Sequence, residues 1–384
     1  MESWAIDLLA TAPPGENRSG LSRVVWELAT ALAARGHRPR VLYPSAGPPP
    51  SPEAAGVHAV PIPVPGSLRG PYGRERAIAR AASALLDPAA DLLLANDEKG
   101  GAISLPGPRG PRFLMFAHDI QQHHLLTMRA LGPDPPSLRQ RLGTFRDRRA
   151  IRRLEGTAFD RARAILVASE ANRNLLREFY PWVPADRIHL LPPSVPTLPD
   201  VGDRDAARGG LLLPRDVPVV SFIGHTPDRQ GLPLALEAFR RVRAFFPGAR
   251  FLVVGSSGAS AAGVSYLGFV DEATKARVLR ASDLFLFPAR YEGFGLAPRE
   301  AMRAGVATIV SRHVPIDGAG RSSVVRVVPE DDAGAYASEL AELLADPALR
   351  RQLGERGRAY AEQFRPERMA ERFEEIVRPV LGRG

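Results

Sequence analysis

The sequence contains no cysteine, so it can form neither a disulfide bond nor a thiolate metal site. Lysine is almost absent as well, because only Lys99 and Lys275 occur among 51 basic residues. Arginine therefore carries nearly all of the formal net charge of +9. A basic surface of this kind is either simply solvated or faces an anionic substrate, a phospholipid surface or nucleic acid. We expect no nucleic-acid partner, since neither a zinc-finger spacing nor an aromatic RNA-binding motif accompanies the charge.

Long apolar runs are also lacking. No window approaches the roughly 18 apolar residues that a membrane-spanning helix needs. The N-terminal segment MESWAIDLLATAPP lacks the basic start and the long apolar stretch of a signal peptide. We therefore expect a cytoplasmic protein that is attached at most peripherally to the inner membrane surface. The arginine-rich stretch Arg139–Arg153, which includes Leu142 and Phe145, would lie either on an anionic membrane or in an ordinary surface helix.

The length and the apolar content indicate two domains. A chain of 384 residues that is 45% hydrophobic suits two cores of roughly 150–200 residues each. It opens with a predicted strand, Trp4–Thr11, and a helix then runs from about Leu21 to Arg35 with its apolar residues on one face. Gly36 is placed to end this helix in a left-handed conformation, and the strand Arg40–Tyr43 follows. This β-α-β order predicts a parallel sheet.

Similar units recur along the chain. Further strands are predicted at Asp91–Ala95, Arg112–Ala117, Ala164–Ala168, Val219–Ile223, Arg250–Val254, Asp283–Phe287 and Val306–Val310. Helices are predicted at Leu232–Phe246 and Ala297–Ala304 and within the charged tail Pro347–Leu381. The proline-rich stretch Pro44–Pro65 is interpreted as a loop. We divide the chain into an N-terminal domain, a linker rich in proline and charge, a C-terminal domain and a final helix, at residues 1–195, 196–217, 218–365 and 366–384.

One segment carries the chemistry, and it follows the predicted strand Asp283–Phe287. A loop with Gly293 and Gly295 leads into a helix, and ligands of open α/β sheets bind beyond the carboxyl ends of strands. Backbone N–H groups in such a loop and first helical turn favour anions. Glu292 and Glu300 flank the loop, and a carboxylate accepts paired hydrogen bonds from vicinal hydroxyls such as those of a sugar. The segment therefore suits the binding of a nucleotide-sugar. A tight turn flanked by two solvated glutamates, without any ligand, would give a similar sequence.

The whole string YEGFGLAPREAMRAGV, Tyr291–Val306, resembles the signature of glycosyltransferase family 4, in which seven residues separate two glutamates. The resemblance covers most of the chain, weakly outside the motifs. It implies an α/β protein of the GT-B fold, with two Rossmann-like domains facing across a cleft, and it allows the C-terminal helix to cross back. It also implies a retaining, metal-independent transfer of a hexose from a GDP- or UDP-sugar to a glycan, lipid-linked or small-molecule acceptor. No cofactor or metal is implied beyond this co-substrate.

The resemblance assigns roles to individual residues. Glu292 would position the transferred sugar, and Glu300 would hold the ribose hydroxyls. The loop Gly293, Phe294, Gly295 and Leu296 would contact the sugar and the diphosphate through its backbone.

Weaker matches lie in the first half of the chain. Gly20, within RSGLSRVVWELATAL, matches the glycine that lets the backbone approach the diphosphate. His118, in a His-Asp pair after the strand Arg112–Ala117, matches a histidine that contacts the donor sugar, and it is the candidate to act beside Glu292 in catalysis. Ser169, in ILVASEANRNLL, is expected to cap a helix.

One loop departs from the family pattern. Many members carry an arginine and a lysine after the first strand of the second domain, where this chain reads FIGHTPDRQG from Phe222 to Gly231. In the register of mannosyltransferase-like members Arg229 keeps the arginine, while Gln230 replaces the lysine, and Gly224 opens the loop. The missing cation keeps a second hypothesis open, in which the protein is catalytically silent and binds a nucleotide-sugar or partners an active enzyme. Another GT-B enzyme, such as an epimerase or an inverting transferase, is disfavoured by the intact pair of glutamates.

A possible metal motif is also present in the linker. Asp203, Arg204 and Asp205 mimic the DxD motif of the other main glycosyltransferase fold. We interpret them as solvated charge, because no strand precedes them.

Overall fold

The structure is a computed structural model, and it describes residues 2–13, 20–45, 53–54, 56–64, 73–106, 110–130, 137–259, 261–318, 320–329 and 331–382. The chain divides into two compact units. Unit 1 comprises Met1–Ser194 and Arg365–Gly384, and unit 2 comprises Val195–Phe364. No helix in the described part of the chain is both long and apolar enough to cross a membrane.

The strands lie in two sheets. In chain order they are β1 Ala5–Leu9, β2 Arg38–Ser45, β3 Glu53–Ala54, β4 Val57–Pro63, β5 Leu92–Asn96, β6 Arg112–Ala117, β7 Ala164–Val167, β8 Ile188–Leu190, β9 Val219–Ile223, β10 Arg250–Val254, β11 Val264–Gly268, β12 Leu284–Phe287, β13 Ala307–Ser311 and β14 Arg326–Val328.

The helices connect the strands. They are α1 Gly20–Ala34, α2 Gly73–Ser83, α3 Gln121–Ala130, α4 Leu138–Arg161, α5 Glu170–Phe179, α6 Arg204–Gly210, α7 Pro227–Gln230, α8 Leu232–Val242, α9 Glu272–Ala281, α10 Leu296–Arg303, α11 Arg321–Val324, α12 Ala333–Ala345, α13 Pro347–Ala361 and α14 Pro366–Leu381.

The sheet of unit 1 has the order β3-β4-β2-β1-β5-β6-β7-β8, and β3 alone runs antiparallel to its neighbour. Strands such as β5 and β7 are buried along their whole length. Continuous apolar runs of this kind are typical of parallel strands covered on both faces. The predicted left-handed glycine is observed at Gly36, with φ 90°.

The sheet of unit 2 has the order β11-β10-β9-β12-β13-β14 and is parallel throughout. Its core is formed by buried apolar residues of the strands and of helices α8, α10, α12 and α13. Because β9 and β12 are parallel neighbours, the loops that follow them emerge at the same edge of the sheet. This edge positions the candidate site.

The prediction of a loop over Pro44–Pro65 was wrong within the described residues. The stretch contains β4, which pairs with β2 from His58 to Pro63. On its other side, β3 pairs only with the first two residues of β4. Pro61 and Pro63 therefore lie at the edge of the sheet, where a missing N–H costs no ladder hydrogen bond.

The segment 196–217, expected as a linker, includes helix α6 and belongs to unit 2. Asp203 caps this helix, since its carboxylate accepts the N–H of Ala206 at 2.8 Å. Arg204 Nη2 lies 2.6 Å from Asp283 Oδ1, and the buried Arg208 binds Oδ2 of the same carboxylate at 2.9 Å. Asp203, Arg204 and Asp205 are all exposed, in agreement with their interpretation as solvated charge, and Asp203 and Arg204 make these structural contacts as well.

Candidate functional site

The glycine-rich loop joins β12 to α10 at the carboxyl edge of the sheet of unit 2. Gly295 is the N-cap of α10 and has φ 83° and ψ 65°, a left-handed conformation that glycine adopts readily. A Cβ at this position would also lie 2.9 Å from Val314 Cγ1. Both constraints explain why the motif has glycine here. The turn at Gly295 places the backbone N–H groups of the loop at the N-terminal, positively polarised end of α10, a helix of eight residues.

The loop after β9 packs directly against the loop after β12. The N–H of Arg290 donates to the carbonyl of Arg229 at 2.8 Å. At Gly231 the backbones approach so closely that a Cβ would lie 1.9 Å from the carbonyl oxygen of Pro288. As a result Arg229 Nη1 lies 3.7 Å from Glu292 Oε2, and both side chains are largely buried. The structure thus pairs the predicted phosphate-binding cation with the predicted sugar-binding carboxylate.

Gln230 fills a structural role inside the same loop. Its side-chain Oε1 accepts the N–H of Thr226 at 2.9 Å, and the residue is buried. Gly224 lies against this amide, because a Cβ on Gly224 would approach Gln230 Oε1 to 2.5 Å. The amide therefore closes the loop on itself where many family members carry a lysine.

Glu300 lies in α10 and is 3% exposed. Its Oε1 accepts a hydrogen bond from Lys275 Nζ at 3.1 Å, and Lys275 also lies 2.9 Å from Glu272 Oε2. Lys275 belongs to α9 and is itself buried. Sequence reasoning missed this residue as a site component. The sequence feature that could have indicated a special role for Lys275 is its rarity, since it is one of two lysines in an arginine-rich chain.

In unit 1, His118 follows β6 and is 3% exposed. Its Nε2 lies 3.0 Å from Asn96 Oδ1, and its ring centroid lies 3.8 Å from that of Phe116. Because Asn96 Oδ1 is an acceptor, this contact places a proton on Nε2 of the ring. Asn172 Nδ2 donates to the carbonyl of His118. The histidine is therefore held firmly at the end of its strand.

Two other predicted positions also lie in unit 1. Gly20 begins α1 and is exposed, while residues 14–19 of its loop lie outside the described residues. Ser169 caps α5, since its Oγ accepts the N–H of Asn172 at 3.2 Å, so the prediction of a cap is confirmed.

The predicted site residues thus fall into two groups, one in each unit. Gly20 and His118 lie in unit 1. The others share the edge of β9 and β12 in unit 2: Gly224, Arg229, Gln230, Glu292, Gly293, Phe294, Gly295, Leu296 and Glu300.

The chain is similar to several known proteins. Residues 203–360 match the family described as glycosyl transferases group 1, and residues 18–197 match the family described as glycosyltransferase family 4. A D-inositol 3-phosphate glycosyltransferase of Segniliparus rotundus is 31% identical over 60% of this chain and 55% of the relative. A phosphatidyl-myo-inositol mannosyltransferase of Mycolicibacterium smegmatis is 35% identical over 36% of this chain and 39% of the relative. The matched part of this chain thus spans about half, or less, of the length of these curated relatives.

Among solved structures, a sucrose-phosphate synthase from Thermosynechococcus elongatus superimposes with a TM-score of 0.77 at 20% identity, covering 99% of each chain. Two sheets of mainly parallel strands flanked by helices, matched over this length, show the GT-B fold. The two family matches lie side by side along most of the sequence, and the chain belongs to glycosyltransferase family 4. The predictions of fold and family are confirmed.

Proposed function

We propose that this chain is a retaining glycosyltransferase that moves a hexose from a nucleotide-sugar to an acceptor hydroxyl without a metal ion. The observation that carries the proposal is the gathering of Arg229, Glu292 and Glu300 beside the loop 293–296, in a member of this family. The acceptor would be a polysaccharide, a lipid-linked glycan or a natural product.

Each group has a distinct task in the proposed reaction. The diphosphate gains negative charge as it leaves, and Arg229 together with the N–H groups at the start of α10 stabilises that charge. Glu292 holds hydroxyls of the sugar, and Glu300 holds those of the ribose. The acceptor hydroxyl attacks from the face that the diphosphate leaves, which retains the anomeric configuration. His118 is the candidate side chain for contact with the reacting sugar, and Gly20 is the candidate for close backbone approach in unit 1.

The charge balance at the diphosphate relies on few cations. Gln230 contributes an amide that is already bonded to Thr226, so Arg229 is the cation of this loop. Arginine suits the task, because its planar guanidinium forms paired hydrogen bonds with phosphate oxygens. Glycines at 224 and 293 add backbone that a phosphate can approach closely.

For the donor, we propose GDP-mannose ahead of UDP-sugars. The support is the similarity to a relative named as a mannosyltransferase, together with the sequence SGLSR and the register of Arg229. The donor panel described next includes both classes.

The test is to incubate the protein with GDP-, UDP- and dTDP-sugars and to measure nucleotide release with and without candidate acceptors. Release that depends on an acceptor, with an unchanged anomeric configuration in the product, would support the proposal. Release of an inverted product would overturn the retaining mechanism. Absence of both binding and release with every donor would overturn the enzymatic function.

The second candidate function is a catalytically silent nucleotide-sugar-binding protein. The observation that favours it is Gln230, whose amide is bonded within its own loop at the position where the family pattern described above has a lysine. Saturable binding of a donor without release under any acceptor condition would select this alternative.

We also propose that the protein works in the cytoplasm, in peripheral contact with the inner membrane surface through α4. Leu142 and Phe145 are 62% and 67% exposed, among exposed arginines that include Arg141, Arg146 and Arg149. Exposed apolar side chains among cations suit the interface of an anionic bilayer. Replacing Leu142 and Phe145 by serine should reduce co-sedimentation with phosphatidylglycerol vesicles, whereas Phe269→Ser, at another exposed phenylalanine, should not. Equal binding by both variants would contradict this contact.

A further inference from the structure

Arg299 is a fully buried arginine next to the site. It lies in α10, directly before Glu300, and it is 0% exposed. It donates hydrogen bonds to the carbonyl oxygens of Phe294, Gly295 and Pro315, and it also interacts with the uncharged hydroxyl of Tyr360. Taking a guanidinium out of water is costly in free energy, and an apolar side chain of similar volume often serves stability as well or better. The burial of this charge therefore calls for a role besides stability.

The guanidinium holds the glycine-rich loop from inside the protein. Its central carbon lies 3.8 Å from the ring centroid of Phe294 and 5.0 Å from that of Phe364. The two rings meet edge to face with centroids 5.4 Å apart. Nη2 donates to the carbonyl of Pro315 at 2.6 Å, in the segment after β13. One side chain thus ties the loop to two separate parts of unit 2.

These contacts fix the orientation of particular peptide groups. In a trans peptide the carbonyl and the N–H of the following residue point in opposite directions. Arg299 binds the carbonyls of Phe294 and Gly295, and this turns the N–H groups of Gly295 and Leu296 away from the guanidinium. These two N–H groups are at the N-terminal end of α10, where an anion is stabilised.

We propose that Arg299 is a positioning residue that holds the N–H groups of Gly295 and Leu296 towards the donor diphosphate. The inference rests on the proposed function. It predicts a selective effect, because the nucleoside end of the donor is assigned to Glu300, whereas the diphosphate depends on the orientation of the loop. Arg299 acts through the backbone and does not touch the donor.

The test compares nucleotides that differ by one phosphate. Arg299→Met and Arg299→Lys are titrated by calorimetry with GMP and GDP and with UMP and UDP, and the thermal stability of each variant is recorded. Arg303→Met is the matched control, since Arg303 lies one turn further along α10 and binds Val195 and Thr197 instead of the loop. We expect Arg299→Met to lower the affinity for the nucleoside diphosphates about 10-fold, which is the effect of one charged hydrogen bond. The affinity for the monophosphates should fall less than about 2-fold.

The Arg299→Lys variant should recover the affinity only in part, because an ammonium lacks the planar fork that reaches several carbonyls at once. Arg303→Met should leave both affinities unchanged. Equal weakening of the monophosphate and the diphosphate by Arg299→Met would overturn the inference, as would unchanged affinities beside a lowered melting temperature. Failure of both Arg299 variants to fold would assign the residue to stability and would overturn it too. If the wild-type protein bound none of the four nucleotides, the proposed function itself would fail.

Discussion

The two glutamates of the site differ in their ionic partners. Glu300 accepts a hydrogen bond from Lys275, whereas Glu292 faces Arg229 at 3.7 Å. If Glu300 holds the ribose, Glu300→Gln should weaken nucleotide binding about 10-fold, since a hydrogen bond to a charged group contributes about 1.5–3 kcal/mol. Calorimetric titration with the nucleoside diphosphate measures this change.

Glu292→Gln should give the opposite pattern. We expect a lower kcat with nearly unchanged affinity for the nucleoside diphosphate, because this product lacks the sugar that Glu292 is proposed to position. Steady-state kinetics with the donor identified in the panel, beside the same titration, measure both quantities. Two variants that transfer sugar like the wild type would contradict both assignments.

In unit 1, Asp7 is a buried carboxylate with an altered proton affinity. Burial raises its pKa to about 6, against the opposing effects of the Asp87 N–H, which donates at 2.8 Å, and of Arg40. Because the folded-state pKa lies above the unfolded value of 3.8, the folded state binds more protons between these pH values. Acidification from pH 7 to pH 5 should therefore add about 1 kcal/mol to the free energy of unfolding from this group.

The Asp7→Asn variant should lose this gain on acidification. All three tryptophans, Trp4, Trp26 and Trp182, lie in unit 1, so tryptophan fluorescence follows the unfolding of that unit. Urea titrations at pH 5 and pH 7 should give a smaller difference for the variant than for the wild type. Equal differences would show that Asp7 does not titrate as described.

At the scale of the element, α10 is bounded by glycines with left-handed backbones at both ends. Gly295 has φ 83° and Gly305 has φ 77°. Alanine at either position should cost about 1–2 kcal/mol for the backbone alone. Gly295→Ala should cost more, because its Cβ would lie 2.9 Å from Val314 Cγ1, whereas nothing lies within 4 Å of a Cβ on Gly305.

The two variants should also differ in function. Gly295→Ala should reduce donor affinity by displacing the loop, and Gly305→Ala should leave it unchanged. Thermal unfolding followed by circular dichroism, together with nucleotide titration, separates the two effects. Equal losses of stability at both positions would contradict the steric argument at Gly295.

The elements were predictable from the sequence where a local pattern decides the structure. The strand Arg112–Ala117 was predicted with the observed bounds, and the helix of the motif shifted by one residue, from Ala297–Ala304 to Leu296–Arg303. β4 was missed because prolines usually exclude a strand. They are accommodated here because β3 pairs with only the first two residues of β4, so the rest of β4 is an open edge of the sheet.

Side-chain partners distant in the sequence were not predictable. Lys275 meets Glu300 from 25 positions away, and Arg299 reaches Pro315 across 16. Such pairs depend on how α9, α10 and the segment after β13 pack in space. The motif predicted which residues surround the ligand, but the groups that hold those residues in place became visible only in the fold.

At the scale of the whole molecule, each unit has its own hydrophobic core, and the chain passes from one to the other twice. It leaves unit 1 after Ser194 and returns at Arg365. The returning helix α14 then joins unit 1 through Glu374, which is 3% exposed. Arg35 Nη2 donates to Glu374 Oε2 at 3.1 Å, and His37 Nε2 lies 3.1 Å from Oε1. His37 stacks on Trp4 with centroids 4.5 Å apart, so this cluster connects α14 to the start of the chain.

Glu374 should make the attachment of α14 sensitive to acid. The hydrogen bond from Arg35 lowers the pKa of this carboxyl below its ordinary value of 4.5. Its contribution to stability is therefore complete above pH 4.5 and is lost as the pH falls through the lower folded-state value, opposite in sign to that of Asp7. Glu374→Gln should lower the free energy of unfolding of unit 1 by about 2 kcal/mol at pH 7, and the deficit should shrink below pH 4.5.

The matched control for this prediction is Glu371→Gln on the same helix. Glu371 also pairs with Arg35, at 3.6 Å, but its side chain is 43% exposed. Exposed pairs contribute about 0–1 kcal/mol, so the same change of charge should cost little there. Tryptophan fluorescence in urea at pH 7 and pH 4 measures both variants in unit 1. Equal losses from the two substitutions would mean that net charge, and not the buried cluster, holds α14 on unit 1.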